Sequence, residues 1–230
     1  MESSRTRDIT TEEIRSRYTQ LYAGAVYDAL ESIGYPNQAL SHELQALAPG
    51  MKLAGPAFTV KGTVAAECCE NDRHFALKML HEMAHPCIEV RDAGTPFNVA
   101  IYGELSATTA LAHGATGALI DGGTRDCGHL IARGFPVFAR YRSPVEAFGR
   151  YKVAAFQVPI RFPGETVETV VIYPGDFVFA DDDGVLVIPK DLVIKVLDEC
   201  EQVRSTEDQA RNDFARGDDP VDVFERYKRL

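Results

Sequence analysis

Short apolar runs alternate with helix-forming stretches between residues 104 and 141, and this alternation limits the possible folds more than any other feature. Glu104–His113 has helical spacing and ends at Gly114. Ala118–Asp121 is typical of a strand, Cys127–Arg133 of a short helix and Pro136–Tyr141 of another strand. Because helices separate these short strands, the pattern predicts parallel pairing in an α/β core.

The flanking segments extend this core into one mixed α/β domain with a helical C-terminal arm. Helices are predicted from Thr10, which is spaced from Glu13 as in a capping box, and over Ala23–Ile33. Asn71 or Asp72 is predicted to cap a further helix, and Asp191 the last long one. From residue 151 consecutive strand patterns predict a mixed sheet. We assign residues 1–217 to the domain and residues 218–230 to a tail.

Composition excludes several classes of function. The 230 residues carry a formal net charge of −10, which argues against a nucleic-acid partner because phosphate binding needs a basic face. The N-terminal residues have no apolar core of a secretory signal, and no apolar run approaches the ~18 residues that cross a bilayer. Five cysteines without a CxxC motif indicate free thiols in a reducing compartment. A cytoplasmic protein that does not bind membranes is therefore expected.

The candidate site follows the central strand. The apolar run ends at Gly122-Gly123, and Arg125-Asp126 comes directly after it. Ligands of α/β sheets bind beyond the carboxyl ends of strands, where an arginine can hold a carboxylate and an aspartate a hard cation. Glu104 lies at another strand-to-helix junction. Two acids and one arginine at loop ends predict a metal site for an anionic substrate.

Each of these residues also has a purely structural interpretation. Asp126 directly precedes a predicted helix and could cap it, and Glu104 could be an ordinary first-turn acid favoured by the helix dipole. The double glycine favours a ligand role for Asp126, since it would let the backbone approach a ligand. Asp181–Gly184 lies between two alternating runs, where Asp-Gly predicts a hairpin turn instead of a metal site.

The order of these motifs resembles the RraA-like family. Glu104, twenty intervening residues and then Arg125-Asp126 match the acid-X20-Arg-Asp pattern of that family. VYDALESIG, YGELSATTALAHGATGALIDGG, RDCGHLIARGFPVFAR and PGDFVFADDDGVLVIP agree with it in order. The resemblance extends from about Tyr18 to Gly217. It implies a swivelling-domain-like, layered α/β/β sandwich with a mixed sheet.

The resemblance also implies an activity and its residues. The family includes divalent-metal-dependent aldolases that release pyruvate from 4-hydroxy-2-oxo diacids such as 4-hydroxy-4-methyl-2-oxoglutarate, and the same chemistry would allow oxaloacetate decarboxylation. By this resemblance the catalytic residues would be Arg125, Glu104 and Asp126. The substrate-binding residues would be Gly103, Glu104, Leu105, Ser106 and Arg125. Mg²⁺ or Mn²⁺ would be held by Asp126, Glu104 and, from a neighbouring subunit of a homotrimer or hexamer, Glu207.

Two other functions stay open at this point. Some family members regulate ribonuclease E without catalysis, and the acidic surface could meet a basic partner segment. The third possibility is a related lyase or hydratase that acts on sugar-derived 2-oxo acids.

Overall fold

The computed structural model describes residues 9–65, 69–83, 86–94 and 96–227. The helices within these ranges are α1 (Thr11–Tyr18), α2 (Ala23–Ser32), α3 (Glu70–His81), α4 (Glu104–Ala112), α5 (Cys127–Arg133), α6 (Val193–Ala215) and α7 (Pro220–Tyr227). The strands are β1 (Gln45–Ala46), β2 (Leu53–Thr63), β3 (Cys87–Asp92), β4 (Ala100–Tyr102), β5 (Ala115–Thr124), β6 (Val137–Arg142), β7 (Lys152–Phe156), β8 (Ile160–Pro163), β9 (Thr169–Ile172), β10 (Phe177–Asp181) and β11 (Gly184–Ile188).

The main sheet is mixed, as the sequence predicts. Its strand order is β1-β6-β5-β3-β2-β10-β11, with β4 beside β5 and β7 beside β2. The central pairs β2–β3, β3–β5 and β5–β6 are parallel, whereas β1, β7, β10 and β11 pair antiparallel. The crossovers through α3 and α5 place the parallel strands side by side. The predicted parallel core is therefore confirmed.

Apolar side chains form layers on the two faces of this sheet. One cluster, which includes Phe58, Ile120 and Leu130, lies between the sheet and helices α3, α4 and α5. A second cluster lies between the opposite face and the separate β8–β9 hairpin, and includes Leu119 and Phe162. The third cluster joins α1, α2 and α6 to β10 and β11. The structure thus has the predicted α/β/β layering.

Helix ends follow the sequence closely at the first helix and less closely elsewhere. Thr10 and Glu13 form the predicted capping box of α1. At α3 the prediction of an Asn71 or Asp72 cap is wrong, because Cys69 is the N-cap and Asp72 closes the capping box from inside the helix. The Asp191 cap is also wrong, since Asp191 lies in a 3₁₀ turn and Leu192 begins α6 without a side-chain cap.

The long helix α6 forms the predicted C-terminal arm. Arg17 of α1 donates to Glu201 of α6 at 2.7 Å from both Nε and Nη2, which ties the arm to the N-terminal helix. The segment assigned to a tail contains α7, whose described residues end at 227. None of the described helices is both long and apolar enough to cross a membrane.

Candidate active site

Two strand-to-helix junctions meet at the candidate site. β4 pairs with β5 in parallel, so Gly103 at the start of α4 lies beside Arg125 and Asp126 at the start of α5. The Arg125 backbone N–H donates to the Tyr102 carbonyl at 3.0 Å, and this bond fixes the two junctions to each other. The sequence motif is thus brought together in space by strand pairing.

The carboxylate of Asp126 is directed away from its own helix. Asp126 is the N-cap of α5, with φ 59° and ψ 29° in the left-handed region, and its side chain makes no capping hydrogen bond to α5. Instead Oδ2 accepts from the Glu104 backbone N–H at 3.2 Å. The alternative that the Asp126 side chain only caps α5 is therefore wrong, because its carboxylate binds the first residue of α4.

Gly103 makes room for that carboxylate. A Cβ atom at position 103 would lie 2.8 Å from Asp126 Oδ2 and 3.2 Å from Arg125 Cγ. Real Cβ atoms essentially never show contacts under 3.0 Å, so a larger residue would require the end of the Asp126 side chain to shift. Gly103 thus leaves the space that the Asp126 carboxylate occupies beside Arg125.

The double glycine before the motif has a packing role. A Cβ at Gly123 would lie 2.5 Å from the Tyr141 ring and 2.6 Å from the Val99 carbonyl oxygen. The strand β5 continues through both glycines to Thr124, three residues beyond its predicted end. Close contact with neighbouring strands therefore accounts for Gly123 without a ligand.

Glu104 contributes to the site through its backbone. Its carboxylate Oε1 accepts from Thr108 Oγ1 at 2.6 Å and from Arg133 Nη2 at 2.8 Å. The ion pair with Arg133 joins α4 to α5, so the side chain holds the two helices of the site together. In this structure the Glu104 carboxylate has the contacts of a first-turn acid, and its N–H holds Asp126.

Arg125 is held less tightly than its neighbours. Its Nε lies 3.7 Å from Asp126 Oδ2, and its Nη2 lies 3.7 Å from Glu146 Oε1. Both distances are longer than a hydrogen bond, and the side chain is 37% exposed. The guanidinium therefore keeps hydrogen-bonding capacity for an incoming carboxylate.

A cavity of about 420 Å³ opens at this junction. Among its lining residues are Gly103, Leu105, Ser106, Arg125 and Asp126. Leu105 and Ser106 lie in the first turn of α4, where backbone N–H groups have no acceptor within the helix and form the positive end of its dipole. The volume is in the range of small-molecule sites.

Several cavity residues were not found by sequence reasoning. Basic side chains reach the cavity from other elements: Arg73 from α3, Arg91 from β3 and Lys152 from β7. Lys152 Nζ forms an ion pair with Asp72 at 3.0 Å. A signal for Arg91 was present, because Glu89 and Arg91 alternate with apolar residues in a strand and must share one face. The lining has four basic and three acidic side chains, which are Arg73, Arg91, Arg125 and Lys152 and Asp72, Asp126 and Glu146.

Glu207 lies elsewhere in the chain. It is on α6, where its carboxylate accepts from the Tyr22 hydroxyl and from Arg211 Nη2. Burial and the adjacent Glu207 carboxylate raise the pKa of Tyr22. Glu207 does not line the cavity of its own chain.

The donor set at the junction suits a hard cation with few protein ligands. No cluster of three His, Cys, Asp or Glu side chains suited to a metal occurs among the described residues. Mg²⁺ commonly uses one or two carboxylates together with water and substrate oxygens. Asp126, whose side chain is 41% exposed and whose carboxylate lies at the recess beside Gly103, fits that pattern.

The sequence of the chain matches a family model described as RraA-like, aldolase/RraA, over residues 23–187. The chain belongs to the RraA-like family. Residues 103–126, which build the recess, lie within the matched segment.

Two relatives show the range of proteins that contain this RraA-like unit. Protein DlpA of Legionella pneumophila is 29% identical over 202 residues, a match that covers 88% of this chain and 32% of DlpA. This chain therefore spans about a third of that relative. A protein of Halalkalibacterium halodurans, provisionally named a 4-hydroxy-4-methyl-2-oxoglutarate aldolase, is 31% identical over 186 residues, with 81% and 80% of the two chains covered.

Solved structures have the same RraA-like architecture. A chain described among novel cellulases from microbes of the gut ecosystem has a TM-score of 0.81 and 32% identity, with 90% of each chain covered. RraAS2 of Streptomyces coelicolor, described as an unusual member of the RNase ES inhibitor RraA family, has a TM-score of 0.73 and 23% identity, with 89% and 98% covered. At that identity, the likeness to RraAS2 concerns the fold alone.

Proposed function

We propose that this protein is a divalent-metal-dependent lyase that releases pyruvate from 4-hydroxy-2-oxo acids, with oxaloacetate decarboxylation as a side activity. The observation that carries the proposal is the recess at Gly103, in which an arginine and a carboxylate share one small-molecule cavity. Membership of a family with provisionally named aldolases agrees with it.

The cavity residues can bind a 2-oxo acid in one orientation. Arg125 would hold the C1 carboxylate, because guanidinium and carboxylate form two parallel hydrogen bonds. The first-turn N–H groups of Leu105 and Ser106 would bind the oxygen on which negative charge develops when the C3–C4 bond breaks. Preorganised donors of this kind stabilise an enolate more than the neutral ketone, and this difference accelerates the reaction.

The proposed cation is Mg²⁺ or Mn²⁺, and Asp126 is the residue that would hold it. A bound divalent cation supplies Lewis-acid polarisation of the 2-oxo acid. The Glu104 N–H positions the Asp126 carboxylate, so Glu104 would act as a positioning residue through its backbone. A role of Glu207 would require a second copy of the chain, since Glu207 does not line the cavity of its own chain.

A regulator of ribonuclease E without catalysis is the less favoured function. Binding through an acidic surface would need neither the recess at Gly103 nor several basic residues that line a cavity. A related lyase that acts on sugar-derived 2-oxo acids would use the same residues. It would differ from the proposed aldolase only in the substrate group that the part of the cavity away from Arg125 and Asp126 accepts.

Pyruvate release tests the proposal directly. Purified protein is incubated with 4-hydroxy-4-methyl-2-oxoglutarate or oxaloacetate, with Mg²⁺, with Mn²⁺ or with a chelator, and pyruvate is measured. We expect metal-dependent turnover that falls at least about 100-fold in Asp126→Asn. Asp222→Asn, which changes an exposed aspartate of α7, should keep wild-type turnover. Pyruvate release that continues in the presence of the chelator would oppose the proposal. So would the absence of pyruvate release from both acids.

A further inference from the structure

The candidate cavity has a wall that the proposed reaction does not use. Besides the α4–α5 junction, the cavity lining comes from α3, β3, β4, β7 and the loop of residues 143–151. At about 30 Å³ per non-hydrogen atom, the volume of a water molecule in the liquid, pyruvate would occupy roughly 180 Å³ of the cavity's 420 Å³. More than half of the volume is therefore left for the group that the substrate carries at C4.

Phe148 is the large apolar side chain of this wall. The smaller apolar residues of the wall are Ala76, Ala100, Ile101, Ala147 and Val153. Phe148 is 53% exposed, and Leu105, which lines the same cavity from α4, is 78% exposed. Scattered exposed apolar residues are normal, but two beside one cavity are typical of a ligand-binding groove. The exposed part of the Phe148 ring can therefore contact a ligand.

The cations of this wall already have partners within the chain. Arg91 Nε donates to Glu89 Oε1 at 2.6 Å, and Lys152 Nζ forms an ion pair with Asp72 at 3.0 Å. A carboxylate at C4 of the substrate would have to compete with these two acids for the arginine and the lysine. The remaining cation, Arg73, lies over an aromatic ring. The wall therefore favours an uncharged group over a second carboxylate.

The loop of residues 143–151 holds Phe148 in place. The Ala100 backbone N–H donates to the Val145 carbonyl at 2.8 Å. Arg150 Nη1 donates to the Glu146 carbonyl at 3.2 Å and to the Phe148 carbonyl at 3.3 Å. Because these bonds order the loop before a ligand binds, the entropy cost of binding is small.

Arg73 and Phe148 together favour an aromatic ligand. Arg73 Cζ lies 5.2 Å from the centroid of the Phe148 ring. A guanidinium attracts the face of an aromatic ring, and two aromatic rings gain free energy from stacked or edge-to-face contact. An aliphatic group of the same size would gain from burial alone. An aromatic ring is thus the group that these two side chains stabilise most.

We propose that Phe148 and Arg73 form a ring site, which binds an aromatic ring at C4 of the substrate. The inference rests on the proposed function, since it assumes that Arg125 holds the 2-oxo acid end of the substrate. The substrate class is then 4-aryl-4-hydroxy-2-oxobutanoates, which give pyruvate and an aromatic aldehyde. The C4 hydroxyl loses its proton and becomes the aldehyde carbonyl. The C3–C4 bond breaks, and C3 keeps the electron pair as an enolate that takes up one proton.

Three 2-oxo acids that cannot be cleaved test the ring site. 2-Oxobutanoate ends in a methyl group at C4, where 2-oxo-4-phenylbutanoate adds a phenyl group and 2-oxoglutarate adds a carboxylate. Calorimetric titrations with Mg²⁺ present measure what each added group contributes to the affinity. We expect the wild-type protein to bind 2-oxo-4-phenylbutanoate at least about tenfold more tightly than either other acid, as burial of a ring predicts.

Matched variants assign this preference to the ring site. Phe148→Ala should lose the preference and keep the wild-type affinity for 2-oxobutanoate, and Phe148→Leu should keep only part of the preference. Phe97→Ala is the control, because Phe97 is another exposed phenylalanine, at 46%, and lies outside the lining of this cavity. It should keep the full preference.

Arg73→Gln separates a cation over a ring from a cation that binds a carboxylate. We expect this variant to bind 2-oxo-4-phenylbutanoate more weakly by about threefold or more, with the affinity for 2-oxoglutarate unchanged. A variant that instead loses affinity for 2-oxoglutarate alone would show that Arg73 binds a second carboxylate, and it would overturn the ring site.

The failure of this inference differs from the failure of the proposed function. Equal wild-type affinities for the three acids, a preference that survives in Phe148→Ala, or no binding of any acid would each overturn the ring site. Turnover is measured separately, as the benzaldehyde and pyruvate released from 4-hydroxy-2-oxo-4-phenylbutanoate. A protein that releases pyruvate from 4-hydroxy-4-methyl-2-oxoglutarate but does not prefer the phenyl acid would retain the proposed function without the ring site. One that prefers the phenyl acid but cleaves no 4-hydroxy acid would retain the ring site alone.

Discussion

At the scale of single residues, the sequence could indicate which side chains meet but not how they point. Glu104, Arg125 and Asp126 follow strands that pair, and their proximity could therefore be predicted. The direction of the Asp126 carboxylate depends on a left-handed backbone conformation that local propensity does not specify. For the same reason, Glu104 contributes its backbone N–H to Asp126 and its carboxylate to Arg133.

The space at Gly103 predicts that a single added methyl group reduces activity. In Gly103→Ala the new Cβ would meet Asp126 Oδ2 at 2.8 Å and displace it, so we expect kcat/KM for pyruvate release to fall at least about tenfold. Gly128→Ala is the matched control, because it adds a methyl group to α5 with nothing within 4 Å. That variant should keep its activity and gain up to about 1 kcal/mol of stability. Equal activities of the two variants would contradict the recess.

Asp121 predicts a pH dependence of stability outside the site. Burial raises its pKa from 3.8 to about 6, while Arg140, 3.2 Å away, opposes the shift. The unfolded chain has the ordinary pKa of 3.8 and the folded protein the raised one of about 6. Between pH 4 and 6 the folded protein therefore binds the proton more tightly, and the free energy of unfolding falls as pH rises. Asp121→Asn should therefore gain stability relative to wild type from pH 4 to 6, by up to about 3 kcal/mol. The measurement is the free energy of unfolding from denaturant titrations across this pH range. Wild type and Asp121→Asn whose free energies change in parallel with pH would contradict the prediction.

At the scale of elements, the strand and helix pattern was predictable, and the assembly of the cavity was not. The periodicity of residues 104–141 predicts β5, α5 and β6 within a few residues. Arg73, Arg91 and Lys152 come from α3, β3 and β7, which meet only because β7 pairs with β2 in an antiparallel way that no local signal encodes. Residues that are distant in sequence but close to the site in space can be identified only when the order and pairing of the strands are known.

The docking of α7 on α6 depends on one buried aspartate. Asp213 of α6 accepts from the Tyr227 hydroxyl at 2.9 Å and pairs with Arg216 and Arg226. The Tyr227 hydrogen bond and the two arginines lower the pKa of Asp213. In Asp213→Asn these charge-assisted contacts are lost, so amide exchange across residues 220–227 should accelerate about tenfold or more. Asp222→Asn should leave exchange unchanged, and equal rates in both variants would show that Asp213 does not hold the helix.

At the scale of the whole molecule, the charge distribution is uneven in a way that composition hides. The chain carries a formal net charge of −10, yet its cavity has one more basic than acidic lining side chain. The net charge weighs against a nucleic-acid partner, but it gives no information about a local site. An anionic substrate is therefore compatible with an acidic protein.

The proposal that Glu207 acts from a neighbouring subunit predicts complementation between two inactive variants. Asp126→Asn removes the proposed cation ligand, and Glu207→Gln should also lose most activity if its carboxylate completes a neighbour's site. Co-expressed chains would form some sites with Asp126 from one copy and Glu207 from the other. In a random homotrimer, roughly a quarter of the sites would be intact, and pyruvate release should recover to that level.

Separately purified variants mixed without subunit exchange are the control, and they should stay inactive. Because Glu207 is held by Tyr22 and Arg211 in its own chain, its role at a neighbour's cavity requires that these contacts coexist with the interface or break on assembly. A fully active Glu207→Gln variant would remove the residue from the site, and inactive variants without recovery would show that Glu207 does not complete a neighbour's site. Recovery near a quarter would therefore place Asp126 and Glu207 of different copies in a single site.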